Sequence, residues 1–214
     1  MTYLELVNSV LRRLREDEVT TVSESDYSRL IGDFVNDAKR LVEDSWDWTA
    51  LRETVDITTI VGQSSYSLTG YSTKSKILTV HNETTNQVIP LESLTRVRRL
   101  ALQSDNASGS IQYYTLDGVD SNNDMQIRFY MPPNAEQTIT VYGVKRTNEL
   151  SLDTDTTSLP SAPVVQWAYS YALRERGETG GQSAAEQAVF AKEDLTNAIS
   201  QDASQHPEET IWYS

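Results

Sequence analysis

The hydrophobic period changes twice along this chain, and those two changes constrain the fold more than any motif does. Up to Trp46, apolar residues recur every three or four positions. From "TVDITTI" to "TITVYGVK" they alternate. Beyond Leu159-Pro160, in "LPSAPVVQWAYSYALRERGE", the helical spacing returns. A chain that is helical at both ends and strand-like between them is expected to be α+β. The N- and C-terminal helices are predicted to bury their apolar stripes together as a bundle, carrying an inserted antiparallel β-sandwich or small barrel. The expected boundaries are 1–48 and 159–204 for the bundle, 49–158 for the inserted β domain, and 205–214 for an extended C-terminal arm.

The helices have local start and stop signals. Thr2 and Glu5 have capping-box spacing ahead of Leu4, Val7, Val10 or Leu11, and Leu14. Ser23 and Asp26 offer a cap for a second helix, Asp26–Ser45, with a stripe of Tyr27, Leu30, Ile31, Phe34, Ala38, Leu41 and Val42. Gly32 lies within that stripe, where a glycine costs helix stability, so close packing is expected there. Ser161 is the expected N-cap of a third helix, with Pro163 in the first turn and Gly177 as a left-handed C-cap. Val164, Trp167, Ala168, Tyr171 and Ala172 form its stripe. Ser183 and Glu186 predict a capping box for a fourth helix lined by Ala188, Ala191, Leu195 and Ala198 or Ile199.

Between these ends, seven short alternating segments separated by Gly, Asn, Asp and Pro turns predict antiparallel strands. "LESLTRVRRLA" interrupts them with Leu91, Leu94, Val97 and Leu100 or Ala101 at helical spacing, which predicts a short helix.

Chemistry is sparse. There is no cysteine, and the two histidines, His81 and His206, are far apart, so a zinc site by spacing is not expected. No phosphate-loop, nucleophile-elbow or dinucleotide-binding motif occurs. "DSNNDM" begins like a calcium loop, but Met125 stands where the turn needs Gly and Met131 where a bidentate Glu belongs. A polar hairpin tip is expected there, and a turn at Asp153 and Asp155. No cofactor, metal or catalytic residue is predicted, nor an enzyme. No apolar run reaches the length of a membrane span, and no signal peptide is expected.

The net charge is −13, which argues against a nucleic-acid binder with a basic face. Two small basic clusters, Arg12, Arg13 and Arg15, and Arg96, Arg98 and Arg99, are candidate subunit contacts; as solvated faces they would need no function. Ile211, Trp212 and Tyr213 follow Pro207, which cannot continue a helix. They are expected either to fold back on the chain's own core or to form an arm that docks on a partner.

The order of elements resembles the head-to-tail adaptor (connector) proteins of tailed bacteriophages, especially the tail tubular adaptor of short-tailed phages. The residues that carry the resemblance are Trp46-Asp47-Trp48 at the turn into the sheet, then "IQYYTLDG", "MQIRFYMPPNAEQ" and "TITVYGVKR". The return to helix adds Leu159-Pro160, Trp167-Ala168, Tyr171-Ala172-Leu173 and Arg176-Gly177-Glu178. The resemblance implies a virion structural protein at the head–tail junction, assembled in the host cytoplasm. It implies a homo-oligomeric, dodecameric ring under the portal protein, joined to the tail nozzle or other tail proteins. Genomic DNA would pass its lumen without specific binding, and no membrane would be involved. The C-terminal arm would be a candidate portal contact. The competing reading is a carbohydrate- or receptor-binding tail module using Tyr66, Tyr71, Tyr113, Tyr114 and Tyr130 of the β domain.

Overall fold

A computed structural model of the chain describes residues 1–104, 107–177 and 184–205. It separates into a helical unit, Met1–Ala50 with Asn148–Ser214, and a β unit, Leu51–Thr147. The fold is α+β.

In the helical unit, α1 (Tyr3–Arg13) opens with the predicted capping box, the Thr2 hydroxyl accepting from Glu5 N and the Glu5 carboxylate from Thr2 N. Its buried face is Tyr3, Leu6, Val7, Val10 and Leu11. α1 stops in a hydrogen-bonded turn in which Arg15 N donates to the Arg12 carbonyl and Glu16 N to the Leu11 carbonyl. This is the pattern that usually places glycine in the left-handed position, but here Arg15 holds it at φ 59°.

α2 (Asp26–Ser45) is capped by Ser25 and Ser28, not by the expected Ser23 and Asp26. The segment before it is already folded as a turn, with the Glu24 carboxylate accepting from both the amide and the hydroxyl of Thr20. That turn moves the first helical residue's cap two positions along. The buried face of α2 also differs from the expected stripe. Ile31, Val35, Ala38 and Val42 are buried together with Ser28, Gly32, Lys39 and Glu43, while Tyr27, Leu30, Phe34 and Leu41 are only half-buried. Gly32 does mark a close approach, since a Cβ there would meet the Tyr3 hydroxyl and stand 2.9 Å from Val22 Cγ1.

α4 (Ser161–Arg176) is the hub, packing on α1, α2 and α5 (Ala184–Ala203). It is therefore buried on more than one face, through Val164, Val165, Ala168, Ser170, Ala172 and Leu173, rather than along one stripe. Ser161 is its first helical residue, not its N-cap; Pro160 holds the cap position without a side-chain bond. Gly177 ends it at φ 64°, as expected. The Ser183 half of the predicted capping box lies outside the described residues. α5 packs chiefly on α4, burying Gln187, Ala191 and Leu195 and leaving Val189 and Phe190 exposed.

The β unit contains all seven predicted strands. One sheet runs β1 (Arg52–Thr58), β7 (Thr138–Val144), β3 (Lys76–Asn82), β4 (Gln87–Val88). The other runs β2 (Ser65–Ser67), β6 (Met125–Tyr130), β5 (Tyr113–Val119). Every strand pair within these sheets is antiparallel, and no barrel closes among the described residues. Inward residues of both sheets share one core, including Ile57, Val80, Ile139 and Val141 from the first and Ile127 and Phe129 from the second. The two layers are a sandwich. β7 is central, and Gly143 lets its backbone pass beneath Tyr71 and close to the Lys76 carbonyl. α3 (Leu94–Gln103) packs on β5 and β6, burying Val97 alone. Leu91, expected in its stripe, instead precedes the helix and is exposed, in a bridge to Tyr114.

Candidate assembly surfaces

The charge is divided unequally. The helical unit holds 22 acidic and 9 basic residues; the β unit holds 9 of each. The whole net charge of −13 therefore belongs to the helical unit.

That unit is bolted by polar side chains that the periodicity did not single out. Residues 148–155 run as a strap along α1 and α2. Asn36 of α2 pairs with the Leu150 backbone in both directions, at 3.0 and 2.9 Å. Lys39 Nζ donates to the Asn148 carbonyl at 2.9 Å, and Arg40 pairs with Glu149. The strap then gives its Asp155 and Asp153 carbonyls to Tyr3 N and Leu4 N, donors that a helix start leaves without intrahelical partners. The predicted turn at Asp153 and Asp155 is thus a helix-capping device: the Asp153 side chain takes Val22 N and the Asp155 side chain takes Ser151 N and Leu152 N. Those backbone donors hold the Asp155 carboxyl below its usual range.

Lys39 and Glu43 face each other at 3.5 Å with almost no side-chain exposure. Burial lowers the Lys39 pKa, and the Glu43 carboxylate opposes that shift. Beside the strap lies an open groove of about 600 Å³ lined by Tyr3, Arg29, Asp33, Asn36, Glu149 and Asp153. Burial, then the carboxylates of Asp33, Asp153 and Glu149, push the Tyr3 phenol up to about 12.

Trp46-Asp47-Trp48 closes the other end of α2. Trp48 is buried and donates to the Val42 carbonyl at 2.7 Å, satisfying a helix-end acceptor. Trp46 donates to Asp202 of α5 at 2.9 Å, and Thr49 N reaches the same carboxylate oxygen.

The two basic clusters have different surroundings. Arg12 pairs with Glu18 at 2.6 Å, whereas Arg13 and Arg15 are exposed at the end of α1. Burial of part of its guanidinium, then the neighbouring Arg12 charge, lowers the Arg13 pKa. In α3, Arg96 pairs with Glu92 and lies over the Tyr113 ring, 5.7 Å from its centroid. Arg98 joins Arg128 on Asp117. Burial alone would raise the Asp117 carboxyl, but hydrogen bonds from Arg128 and Arg98 outweigh it and hold the pKa down. Arg99 is exposed. Two of the three α3 arginines thus fasten the helix to its own unit. The arm residues Ile211, Trp212 and Tyr213, like His206, lie outside the described residues.

Of the five tyrosines weighed as a sugar platform, Tyr71, Tyr114 and Tyr130 are buried, and Tyr66 is bonded through its hydroxyl to the Ile60 and Gln63 backbone. Tyr113 is half-buried and stacked on Tyr130. "DSNND" is a hairpin tip in which Asp120 accepts from Asn122 N and Asp124 N, and Asp124 accepts from Gly70 N. Among the described residues no cluster of His, Asp and Glu is placed to hold a metal ion, and no helix is long and apolar enough to cross a membrane.

No curated protein gives a significant match to the chain. The model of one family, described as SU10 adaptor protein, matches residues 1–210. With helices at both ends, a sandwich between them and a family match over nearly the whole length, the chain belongs to the SU10 adaptor protein family of bacteriophage adaptors.

Proposed function

We propose that this protein is a head-to-tail adaptor of the virion. Copies assemble as a dodecameric ring beneath the portal, join it to the tail nozzle or other tail proteins, and let DNA pass through the lumen. The observation that carries this reading is the adaptor family match across residues 1–210.

The uneven charge supports it and sharpens it. A pore that passes DNA without capturing it needs a wall that repels phosphate. The helical unit, with its net −13, suits that wall; the neutral β unit suits contact with tail proteins. A ring needs two unlike surfaces on each copy, joined heterologously and closing by rotation. Arg13 and Arg15 offer one cationic contact for an acidic neighbour. Arg15 keeps its long side chain in a backbone conformation that favours glycine. Arg96, Arg98 and Arg99 remain candidate contacts on the β unit, and Ile211, Trp212 and Tyr213 a docking arm for an assembly partner.

Mass photometry of the purified protein, alone and mixed with the portal of the same virus, tests the reading. Ring-sized particles, or a gain of portal mass equal to about a dozen subunits, are expected. A monomer that never joins the portal overturns it. Removal of residues 207–214 is expected to weaken partner binding in a pull-down while leaving the melting curve unchanged.

A further inference from the structure

Among the described residues the β unit has four strands at sheet edges, and three are blunted. β4 has two residues and β2 has three. The β5 edge is broken by a register shift between Leu116 and Val119, and its start is covered by the Pro90–Glu92 backbone, which exchanges hydrogen bonds with Tyr114. β1 is different. It pairs with β7 over seven consecutive residues without a shift, and "RETVDIT" contains no proline or bulge, so the charges of Arg52, Glu53 and Asp56 are its one blunting device. Protein edges are usually protected by one of these devices, because a regular open edge templates another strand.

The direction of the free groups follows from the ladder. Lys145 N donates to the Leu51 carbonyl and Thr59 N to the Gln137 carbonyl, so odd-numbered residues of β1 face β7. The backbones of Arg52, Thr54, Asp56 and Thr58 therefore point outward. Among the described residues no strand lies on that side of β1 in its sheet, and all four residues are exposed.

We propose that this edge receives residues 208–214 of a second copy of the chain as an added strand. The inference rests on the ring reading above and names the partner of the arm. The segment "EETIWYS" follows Pro207, is rich in β-favouring residues and contains no further proline. Its charge selects the register. Pairing Arg52 with Glu208 in parallel sets Thr54 beside Thr210, Val55 beside Ile211, Asp56 beside Trp212 and Ile57 beside Tyr213. The same register sets Glu209 beside Glu53, where Lys145, on Glu53 at 3.1 Å, is the cation that offsets the two carboxylates. Ile211 and Tyr213 then continue the inward row of Val55 and Ile57, as strand alternation requires. A slip of one residue puts both on the solvent face. An antiparallel addition would place the two glutamates beside Thr58, away from Arg52. Strand addition between copies is directional, head to tail, which is the type of contact a closed ring uses.

The chain has no cysteine, so an engineered pair is the only possible disulfide. Full-length Thr54→Cys, isotopically labelled, and unlabelled full-length Thr210→Cys are mixed and oxidised with copper phenanthroline. Mass spectrometry is expected to find a labelled–unlabelled 54–210 linkage at least tenfold above that from a Thr95→Cys control, Thr95 being an exposed residue of α3. A synthetic 206–214 peptide should suppress the linkage, and the same peptide carrying Ile211→Pro should not. Linkage no greater than the control, or suppression by both peptides equally, overturns the proposal. So does a double variant that closes the bond only within one chain at high dilution. Portal-bound rings in mass photometry of the same variants would then leave the adaptor reading standing, with the arm seated elsewhere.

Discussion

The helical unit and the β unit differ in what fixes most of their backbone. The β unit closes around a continuous apolar cluster, with Ile127, Ile139, Val141 and Phe129 almost fully enclosed, and its backbone is satisfied by strand ladders. The helical unit has apolar stripes too, but its ends and its strap are fixed by side chains. Asn36, Lys39, Asp153, Asp155 and Asp202 each bond to backbone groups, and one ion pair is buried. The unit that carries all the net charge is thus also the one that encloses a Lys–Glu pair, whereas the β unit's Asp117 meets arginines that stay partly in solvent. Polar fastenings fix a geometry closely, but they tie its stability to pH and to the loss of single partners.

The largest expected effect comes from breaking that buried pair. Lys39→Met leaves the Glu43 carboxylate in the interior and removes the donor to Asn148; a loss of about 3 kcal/mol is expected in urea unfolding. Lys39→Met with Glu43→Leu should recover most of it, because neither charge is then stranded. If the single variant costs nothing, the contrast between the units is wrong.

In the β unit the comparable test is steric. A Cβ on Gly143 would stand 2.7 Å from the backbone oxygen of Lys76 and 2.6 Å from a Tyr71 ring carbon. Gly143→Ala should cost about 2 kcal/mol by the same measurement, as overpacking of a central strand does. Backbone amide exchange should rise first in β7 and β3 and leave α1 and α2 protected.

Alkali gives a graded comparison. Tyr3 ionises near 12 in the folded chain against 10.0 for the free phenol. Between those values the unfolded chain loses the proton first, so stability falls as pH rises across the window. The fall attributable to Tyr3 is on the order of 2 kcal/mol. Tyr3→Phe should flatten the slope in part. The remainder belongs to other buried phenols, among them Tyr71 and Tyr114, whose pKa values burial also raises.

The smallest effect has the opposite sign. Arg15→Gly should raise stability by about 0.5 kcal/mol in thermal melts, because glycine meets no Cβ penalty at φ 59°. The same variant should weaken subunit association if Arg15 is a contact. Stabilisation without loss of assembly would mark Arg15 as an ordinary helix end.

Much of this architecture was legible because it is local. The Thr2–Glu5 box lies within one helical turn, the Gly177 stop depends on one backbone angle, and strand alternation needs only neighbours two residues apart. The structure departs from those signals where a neighbouring turn or a distant segment competes for the same groups. Ser25 replaced Ser23 as a cap because Thr20–Glu24 had already folded as a turn. Lys39 and Glu43 have the spacing of a solvent-facing i,i+4 pair, and only the return of the chain at Asn148 encloses them.

The sequence by itself determined the α+β order, the seven strands and the acidic total, since period, turn residues and charge are written residue by residue. The tertiary structure decided which elements touch and which are left open. It made α4 the hub, set the strap over the start of α1, confined the net charge to one unit and left β1 as the one long regular edge among the described residues. Those properties depend on pairings between residues far apart in the chain, 114 positions for Asn36 with Leu150 and 156 for Trp46 with Asp202, and no local period encodes a partner at that distance.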